Sequence, residues 1–253
     1  MIGRFFTLRG REEPTPPAAP PGTRLYAIGD IHGRLDLLTT LWRLVQEDAE
    51  RRQAPRNVVV YLGDYIDRGD QSRAVIEQLL RRPLPGFETV HLKGNHEDIM
   101  MRFLDDVSVG PNWLTYGGME TLQSYGIDPP GPYDGTAELE RAQRALAALL
   151  PSDHLAFLRG LASSHQEGDY FFVHAGVRPG VPLDRQSDAD MLWIRDEFLR
   201  SDASFGCVVV HGHSITPEPD VRRNRIGIDT GAFHSGHLTC LVAEGTERSF
   251  LQT

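Results

Sequence analysis

Six side chains of the kinds that bind metal ions follow short apolar runs at intervals along this sequence. They are Asp30, His32, Asp64, Asn95, His174 and His213. Carboxylate, amide and imidazole donors suit manganese, iron or zinc, and the set contains no thiolate that would favour a soft metal. Two such ions held close together can activate a water molecule and polarise a phosphoryl oxygen. The donor set therefore predicts a site for divalent metal ions that can activate a water molecule.

The first half of the chain alternates between strand and helix patterns that can position these donors. Three apolar runs, 25–28, 57–62 and 88–92, lead into short polar segments that begin with glycine or contain it. Between these runs, 35–52 and 71–81 carry apolar residues at helical spacing. Strands that alternate with helices form largely parallel sheets, which bind ligands at the carboxyl ends of their strands. The sequence thus predicts that the donors gather at one edge of a sheet.

The remaining segments have other compositions. We predict a helical insertion over the site at about 98–165, because 139–150 and 153–161 have helical composition. The short apolar runs after it are expected to form a second sheet. They are 170–173, 207–210, 225–228, 237–243 and 248–251. The first 23 residues contain five prolines and are expected to be a flexible, extended leader before a single domain at 24–253.

Composition excludes several classes of protein. With 253 residues, 40% hydrophobic and 24% charged, the chain is typical of a globular domain. A net charge of −9 argues against a nucleic-acid or anionic-membrane partner. No apolar stretch is long enough for a membrane span, so we expect a cytoplasmic protein. Cys207 and Cys240 are expected to be buried hydrophobic residues, with a bridge between adjacent strands as the alternative.

Five short motifs resemble the signature of the phosphoprotein phosphatase family within the calcineurin-like metallophosphoesterases, most of all its bacterial serine/threonine type. They are GDIHG at 29–33, GDYIDRG at 63–69, GNHE at 94–97, HAG at 174–176 and HGH at 211–213. The resemblance extends over about residues 24–243. It implies an α/β fold of four layers, in which helices flank a central mixed β-sandwich and a helical insertion lies over the active site.

The same resemblance implies a centre of two divalent ions, with manganese expected first and iron or zinc as alternatives. It distributes the ligands as Asp30 and His32 for one ion, Asn95, His174 and His213 for the other, and Asp64 as a bridge between them. A bridging carboxylate holds two ions roughly 3.5–4 Å apart, close enough to share one water molecule.

Four further residues are expected to act on the substrate. The resemblance makes His96 the general acid for the leaving oxygen and Asp67 the carboxylate that orients it. A carboxylate hydrogen-bonded to one imidazole nitrogen fixes the tautomer and raises the pKa of the ring. Arg68 and Arg195 are expected to bind phosphate oxygens, because a guanidinium can hold two of them at once.

The function implied is hydrolysis of phosphoserine, phosphothreonine and small aryl phosphate monoesters, by direct attack of a hydroxide that bridges the two ions. The substrate would be a phosphorylated protein, a peptide or a small phosphate ester. A symmetrical diadenosine tetraphosphate hydrolase, which cleaves an anhydride with the same centre, is the alternative. A binding module that has lost the reaction is a third hypothesis, disfavoured because every predicted ligand is present.

Several residues have more than one interpretation. His211 lies two residues before His213, so both side chains could reach a metal ion, although the resemblance favours His213. His211 would then be a hydrogen-bonding neighbour of the site or a buried structural residue. The aromatic residues of 113–125 could line the substrate cleft or pack the insertion onto the core. Glu97 could support the site or simply begin a helix, and Asp229 is expected in a turn or beside the site without a catalytic role.

Overall fold

The computed structural model describes residues 16–81, 83–131 and 134–253. Most of the predicted leader, residues 1–15, lies outside these ranges. Residues 16–22 contact the domain: the Ala18 N–H donates to Asp169 Oδ2 at 3.0 Å, and the Ala19 N–H donates to the Gly245 carbonyl at 2.8 Å. Contacts with the domain therefore begin before residue 24.

The first half of the chain forms a parallel β-α-β-α-β unit, as its alternating pattern predicts. Its elements are β1 (Thr23–Ile28), α1 (Leu35–Arg52), β2 (Arg56–Tyr61), α2 (Ser72–Arg81) and β3 (Phe87–His91). Strand β2 lies between β1 and β3 and pairs with both in parallel. The carboxyl ends of all three strands therefore lie at the same edge of the sheet.

A helical block follows β3. It consists of α3 (Asn95–Asp105), α4 (Gly110–Trp113), a π-helical turn (Leu114–Gly118), α5 (Met119–Ser124), α6 (Thr136–Leu149) and α7 (Ser152–Arg159). The helices predicted at 139–150 and 153–161 correspond to α6 and α7. Apolar side chains of α3, α6 and α7 pack into the same core cluster as those of α1 and α2, so the block extends the helical layer on one side of the first sheet.

The second sheet is built from the strands that follow. They and the helices between them are β4 (Ser164–Glu167), β5 (Tyr170–Val173), α8 (Asp188–Trp193), α9 (Asp196–Leu199), β6 (Val208–His211), β7 (Asp220–Val221) and β8 (Arg225–Gly227). The strand order is β4-β5-β6-β8-β7, in which β5, β6 and β8 are parallel and the two edge strands are antiparallel. The carboxyl ends of β5 and β6 lead into the two later histidine motifs.

The last two strands return to the first sheet. After α10 (Ala232–Ser235), β9 (Thr239–Glu244) pairs antiparallel with β1, and β10 (Glu247–Gln252) pairs with β9. The expectation that 237–243 and 248–251 belong to the second sheet is therefore wrong. Strand β1 would otherwise be an open edge with unpaired backbone groups, which β9 covers.

The two sheets pack face to face, and alternate residues of each strand face opposite sides. In β1, Leu25 and Ala27 pack against the second sheet, whereas Tyr26 and Ile28 pack against the helices. Helices α8 and α9 cover the outer face of the second sheet. The predicted four-layer α/β architecture is confirmed. Within the described residues, no helix is long and apolar enough to cross a membrane, and both cysteines are free thiols.

Candidate metal centre

The loops after β1, β2 and β3 meet at the carboxyl edge of the first sheet. The backbone N–H groups of Ile31 and His32 donate to the Asp64 carbonyl at 3.0 and 2.8 Å. The loop after β2 also touches the start of α3, because a Cβ on Gly94 would lie 2.1 Å from Asp64 Oδ1. Only glycine allows this approach, so the Gly-Asn-His motif seats the start of α3 against Asp64.

The second sheet supplies two imidazoles to the same place. His174 Nε2 lies 2.8 Å from Asn95 Oδ1, and His213 Nδ1 lies 2.9 Å from the same oxygen. His174 Nε2 is also 3.5 Å from Asp64 Oδ1. Asp64, His174 and His213 each offer a ligand atom within 4.8 Å of the others. The structure thus brings together all four residues expected around one of the two ions.

The surroundings of the other expected ion differ in one respect. His32, Asp64 and His96 form a second group of ligand atoms within 4.8 Å of one another. His32 Nε2 is 3.5 Å from Asp64 Oδ2, and His96 Nε2 is 3.8 Å from the same oxygen. Asp30 is not a member of this group. Its Oδ2 accepts a hydrogen bond from the His213 backbone N–H at 3.0 Å, so the carboxylate links the first and last ligand loops.

Buried atoms without hydrogen-bond partners test whether these residues suit metal ions. Three such atoms belong to predicted ligands: Asp30 Oδ1, His32 Nε2 and His213 Nε2. A buried polar atom that has no partner costs about 1–3 kcal/mol, and a cation would remove that cost. The other ring nitrogen of His32 is 2.8 Å from the Ile66 carbonyl, an arrangement that orients the free Nε2 as a ligand. The residues fit divalent ions.

Burial and mutual charge shift the pKa values of these groups. Burial raises the pKa of Asp30 well above its ordinary range, and the charges of Asp229 and Asp64 raise it further. Burial lowers the pKa of His32 far below its ordinary value. Burial and the neighbouring His174 lower the pKa of His213 to about 2. The imidazoles of His32 and His213 are therefore neutral, which is the protonation state that binds metal ions.

His96 lies at the start of α3 beside a buried carboxylate. Its Nδ1 is 2.7 Å from Asp67 Oδ2, and its Nε2 is 3.2 Å from Arg68 Nη2. Burial lowers the pKa of His96, but the charge of Asp64 and the hydrogen bond to Asp67 outweigh it, so the pKa is raised overall. The geometry leaves Nε2 as the nitrogen that faces the cleft, with Nδ1 held by Asp67.

The two predicted phosphate-binding arginines line one cleft of about 280 Å³, together with His96 and His213. The Arg68 guanidinium also lies 4.6 Å from the centre of the Phe233 ring. Tyr116 and Trp193 line the same cleft, and they are 54% and 41% exposed. The cleft therefore combines two guanidinium groups with exposed aromatic surface.

The sequence leaves the role of Glu97 undecided and does not predict the roles of Trp113 and Thr121. The fully buried Glu97 carboxylate accepts hydrogen bonds from Gly94 N and Asp64 N at 2.9 Å and from Tyr65 N at 2.8 Å. It supports the site rather than only starting a helix. Two residues of the helical block, Trp113 and Thr121, donate to Asp67. Nothing in their local sequence indicates this role, although Trp113 belongs to the aromatic segment noted above.

His211 and Asp229 are both buried close to the ligands. His211 Nδ1 is 3.0 Å from the Gly212 carbonyl, and its ring packs edge-on against Phe198 at 5.0 Å. These contacts give His211 a structural role. Asp229 Oδ1 accepts from Gly231 N at 2.9 Å in a turn, and burial raises its pKa to about 6. Asp229 therefore lies in a turn and also beside the site, where it interacts with Asp30.

One family model and several known proteins are similar to this chain over most of its length. The family model described as calcineurin-like phosphoesterase matches residues 23–237. Serine/threonine-protein phosphatase 2 of Salmonella typhimurium is 29% identical over 224 residues, which are 85% of this chain and 90% of that protein. The asymmetrical bis(5'-nucleosyl)-tetraphosphatase PrpE of Anoxybacillus flavithermus is 26% identical over 85% of this chain and 88% of its own length.

Solved structures support the fold. A cold-active protein tyrosine phosphatase superimposes with a TM-score of 0.54 and covers 99% of this chain and 89% of its own. The sequence identity is only 18%, so this similarity concerns the fold alone.

Proposed function

From the premise that this chain belongs to the calcineurin-like phosphoesterase family, we propose that it is a metal-dependent phosphatase that hydrolyses phosphoserine and phosphothreonine monoesters, and small aryl phosphates as well. One observation carries the proposal. Buried ligand atoms of Asp30, His32 and His213 lack hydrogen-bond partners, and His213 lines a cleft together with His96 and two arginines. Metal binding, phosphate binding and proton donation can therefore act on one phosphoryl group.

We propose two divalent ions for this centre, in keeping with the dinuclear centres of the family. Asp30 and His32 would hold one ion, and Asn95, His174 and His213 the other, with Asp64 shared. Manganese, iron and zinc all suit these donors. Bound there, the ions would supply Lewis acidity and lower the pKa of a water molecule.

The side chains around the cleft would perform the remaining steps. Arg68 and Arg195 would bind the phosphate oxygens and stabilise the charge that develops on them. An oxygen bound to Arg68 would lie next to His96 Nε2, since these two side chains are 3.2 Å apart. His96 would then give its Nε2 proton to the leaving oxygen as the phosphorus–oxygen bond breaks, while its Nδ1–H stays hydrogen-bonded to Asp67.

The cleft has room for a phosphoryl group and for the side chain that carries it. Pockets that enclose whole small molecules usually measure about 300–1,000 Å³, and this cleft measures about 280 Å³. The rest of a larger substrate would lie on the exposed surface around Tyr116 and Trp193. A phosphorylated peptide satisfies this condition, and one of the relatives reported above is a serine/threonine-protein phosphatase.

A second function is supported by a groove next to the cleft. This groove has a volume of about 330 Å³ and shares Arg68 and Tyr116 with the cleft, and Leu114, Met119 and Phe233 also line it. A nucleoside attached to the phosphate could occupy it. The alternative is therefore a diadenosine tetraphosphate hydrolase of the symmetrical type, and the similarity to PrpE supports dinucleoside tetraphosphates as a substrate class.

The two functions can be separated by one comparison. We would measure kcat/KM of the manganese-loaded protein on a phosphothreonine peptide and on diadenosine tetraphosphate, with a metal-stripped control. Strong preference for the peptide supports the phosphatase. Preference for the dinucleotide contradicts it, and the products then identify the cleavage, because symmetrical cleavage yields two ADP and asymmetrical cleavage yields ATP and AMP. Inactivity on both substrates contradicts both proposals.

A further inference from the structure

The dipeptide Asp67-Arg68 has a rare backbone conformation. Its φ angles are 70° and 68°, in the left-handed region that residues other than glycine seldom occupy. Such conformations persist where the surrounding structure holds them in place, and they are common at functional sites. The contacts around these two residues therefore matter for the direction of their side chains.

The helical block supplies most of these contacts. Trp113 Nε1 donates to Asp67 Oδ2 at 2.9 Å, and the Thr121 hydroxyl donates to Asp67 Oδ1 at 2.6 Å. The Arg68 backbone N–H donates to the Gly117 carbonyl at 3.2 Å. Asp67, Trp113 and Thr121 are all fully buried. Both carboxylate oxygens of Asp67 are thus bonded to the block, and one of them also bonds to His96.

Two glycines let the block approach this closely. A Cβ on Gly117 would lie 2.4 Å from the Arg68 backbone nitrogen, and a Cβ on Gly118 would lie 2.5 Å from the Trp113 ring. Gly117 also has a φ of 112°. The π-helical turn therefore fits against the dipeptide at backbone distance, with the Trp113 ring packed beneath it.

We propose that Trp113 and Thr121 are positioning residues for the general acid His96. With three donors on its two oxygens, the Asp67 carboxylate cannot rotate, so Oδ2 stays directed at His96 Nδ1. That bond holds the ring with Nε2 toward the cleft, keeps one proton on Nδ1 and stabilises the doubly protonated ring, in which Nε2 carries the proton that passes to the leaving oxygen. This inference rests on the proposed function, because it assumes that His96 protonates a leaving oxygen.

Conservative variants separate positioning from packing. Trp113→Phe removes the N–H and keeps an aromatic ring, and Thr121→Val removes the hydroxyl at similar size. Ser72 Oγ, 3.0 Å from the Asp67 backbone N–H, keeps that donor bonded when Thr121 changes. Thr121→Ser retains a hydroxyl and is the rescue variant. Trp42→Phe is the matched control, because Trp42 is also buried and its Nε1 has no hydrogen-bond partner among the described residues.

The substrates are chosen by their need for a proton. An alkoxide leaving group must be protonated as it departs, whereas a nitrophenolate departs without help. We therefore expect Trp113→Phe and Thr121→Val to lower kcat on a phosphothreonine peptide by about tenfold to a hundredfold. The loss on p-nitrophenyl phosphate should be at least fivefold smaller, at equal metal content. Thr121→Ser should recover most of the peptide activity, and Trp42→Phe should affect both esters equally.

Losses that are equal on the two esters, or no loss at all, would overturn the inference while leaving the proposed phosphatase in place. If the unchanged protein hydrolyses neither ester, the proposed function fails instead. Proton NMR of the metal-free protein then decides the positioning role. The downfield His96 Nδ1–H resonance, assigned by its loss in His96→Asn, should shift in Trp113→Phe and not in Trp42→Phe. An unshifted resonance overturns the inference whatever the activity.

Discussion

Gly117→Ala tests whether the helical block holds the Asp67-Arg68 dipeptide at backbone distance. The new Cβ would lie 2.4 Å from the Arg68 backbone nitrogen, whereas real contacts of this kind are essentially never below 3.0 Å. The turn and the dipeptide must therefore separate by at least 0.6 Å, the difference between these two distances. Gly126→Ala is the matched control. Gly126 has a φ of 79°, but no atom of the described residues lies within 4 Å of the position that its Cβ would take.

Two effects determine the expected loss of stability: backbone strain and steric overlap. A left-handed conformation costs an alanine about 1–2 kcal/mol relative to glycine, and both variants incur this cost. Steric overpacking adds about 1–3 kcal/mol, and only Gly117→Ala incurs it. We expect a loss in the free energy of unfolding of about 2–5 kcal/mol for Gly117→Ala and about 1–2 kcal/mol for Gly126→Ala.

The effect on catalysis should be separate from the effect on stability. Misplacement of a catalytic group by roughly 1 Å can cost about a hundredfold in rate, so a shift of 0.6 Å or more at Arg68 should lower kcat/KM by about tenfold or more. Urea denaturation measures stability, and turnover of a phosphothreonine peptide by the manganese-loaded variants measures function. The reasoning is refuted if the two variants lose the same stability and both keep activity within twofold of the unchanged protein.

Three further predictions concern the metal ions and pH. Asp64→Asn should lose bound metal and turnover together, whereas His96→Asn should keep its metal and lose turnover on alkyl phosphates. Elemental analysis measures the metal, and equal metal contents in the two variants would contradict the bridging role of Asp64. Removal of metal with a chelator should abolish turnover and lower the melting temperature, both restored by manganese, because partners of buried ligand atoms are lost; an unchanged melting temperature would contradict this. Burial lowers the pKa of His91 to about 4. Below about pH 6.5 the His91 side chain therefore takes up a proton in the unfolded chain but not in the folded protein. The free energy of unfolding should fall toward pH 4 by up to about 3 kcal/mol. His91→Phe should reduce that slope in urea denaturation at pH 7 and 4.5, and an unchanged slope would refute the assignment.

The ligand loops are the part of the site that sequence predicts best. Asp64 and Asn95 follow apolar runs that read as parallel strands, and parallel strands end at the same edge of a sheet. The two histidine motifs follow β5 and β6 for the same reason. Local pattern therefore indicates which side chains lie at the strand ends of each sheet, whereas the packing of the two sheets brings the two sets together.

Sequence pattern does not indicate which distant strands and helices will contact each other. The run that forms β9 is largely apolar and is buried on both faces, and nothing in it indicates that β1 rather than β8 is its neighbour. The contacts of Trp113 and Thr121 with Asp67 likewise join residues 46 and 54 positions apart. The position of Asp30 against the His213 loop depends on how the two sheets pack.

The centre and the general acid depend on different parts of the fold. Asp64 is approached by His32 from the first sheet and by His174 from the second, so the packing of the two sheets sets the ligand geometry. Asp67, in contrast, is bonded by the helical block. A change in the block can therefore alter proton donation and the shape of the cleft without removing a ligand. Substitutions at the strand ends should act through metal content, and substitutions in the block should act through the leaving group.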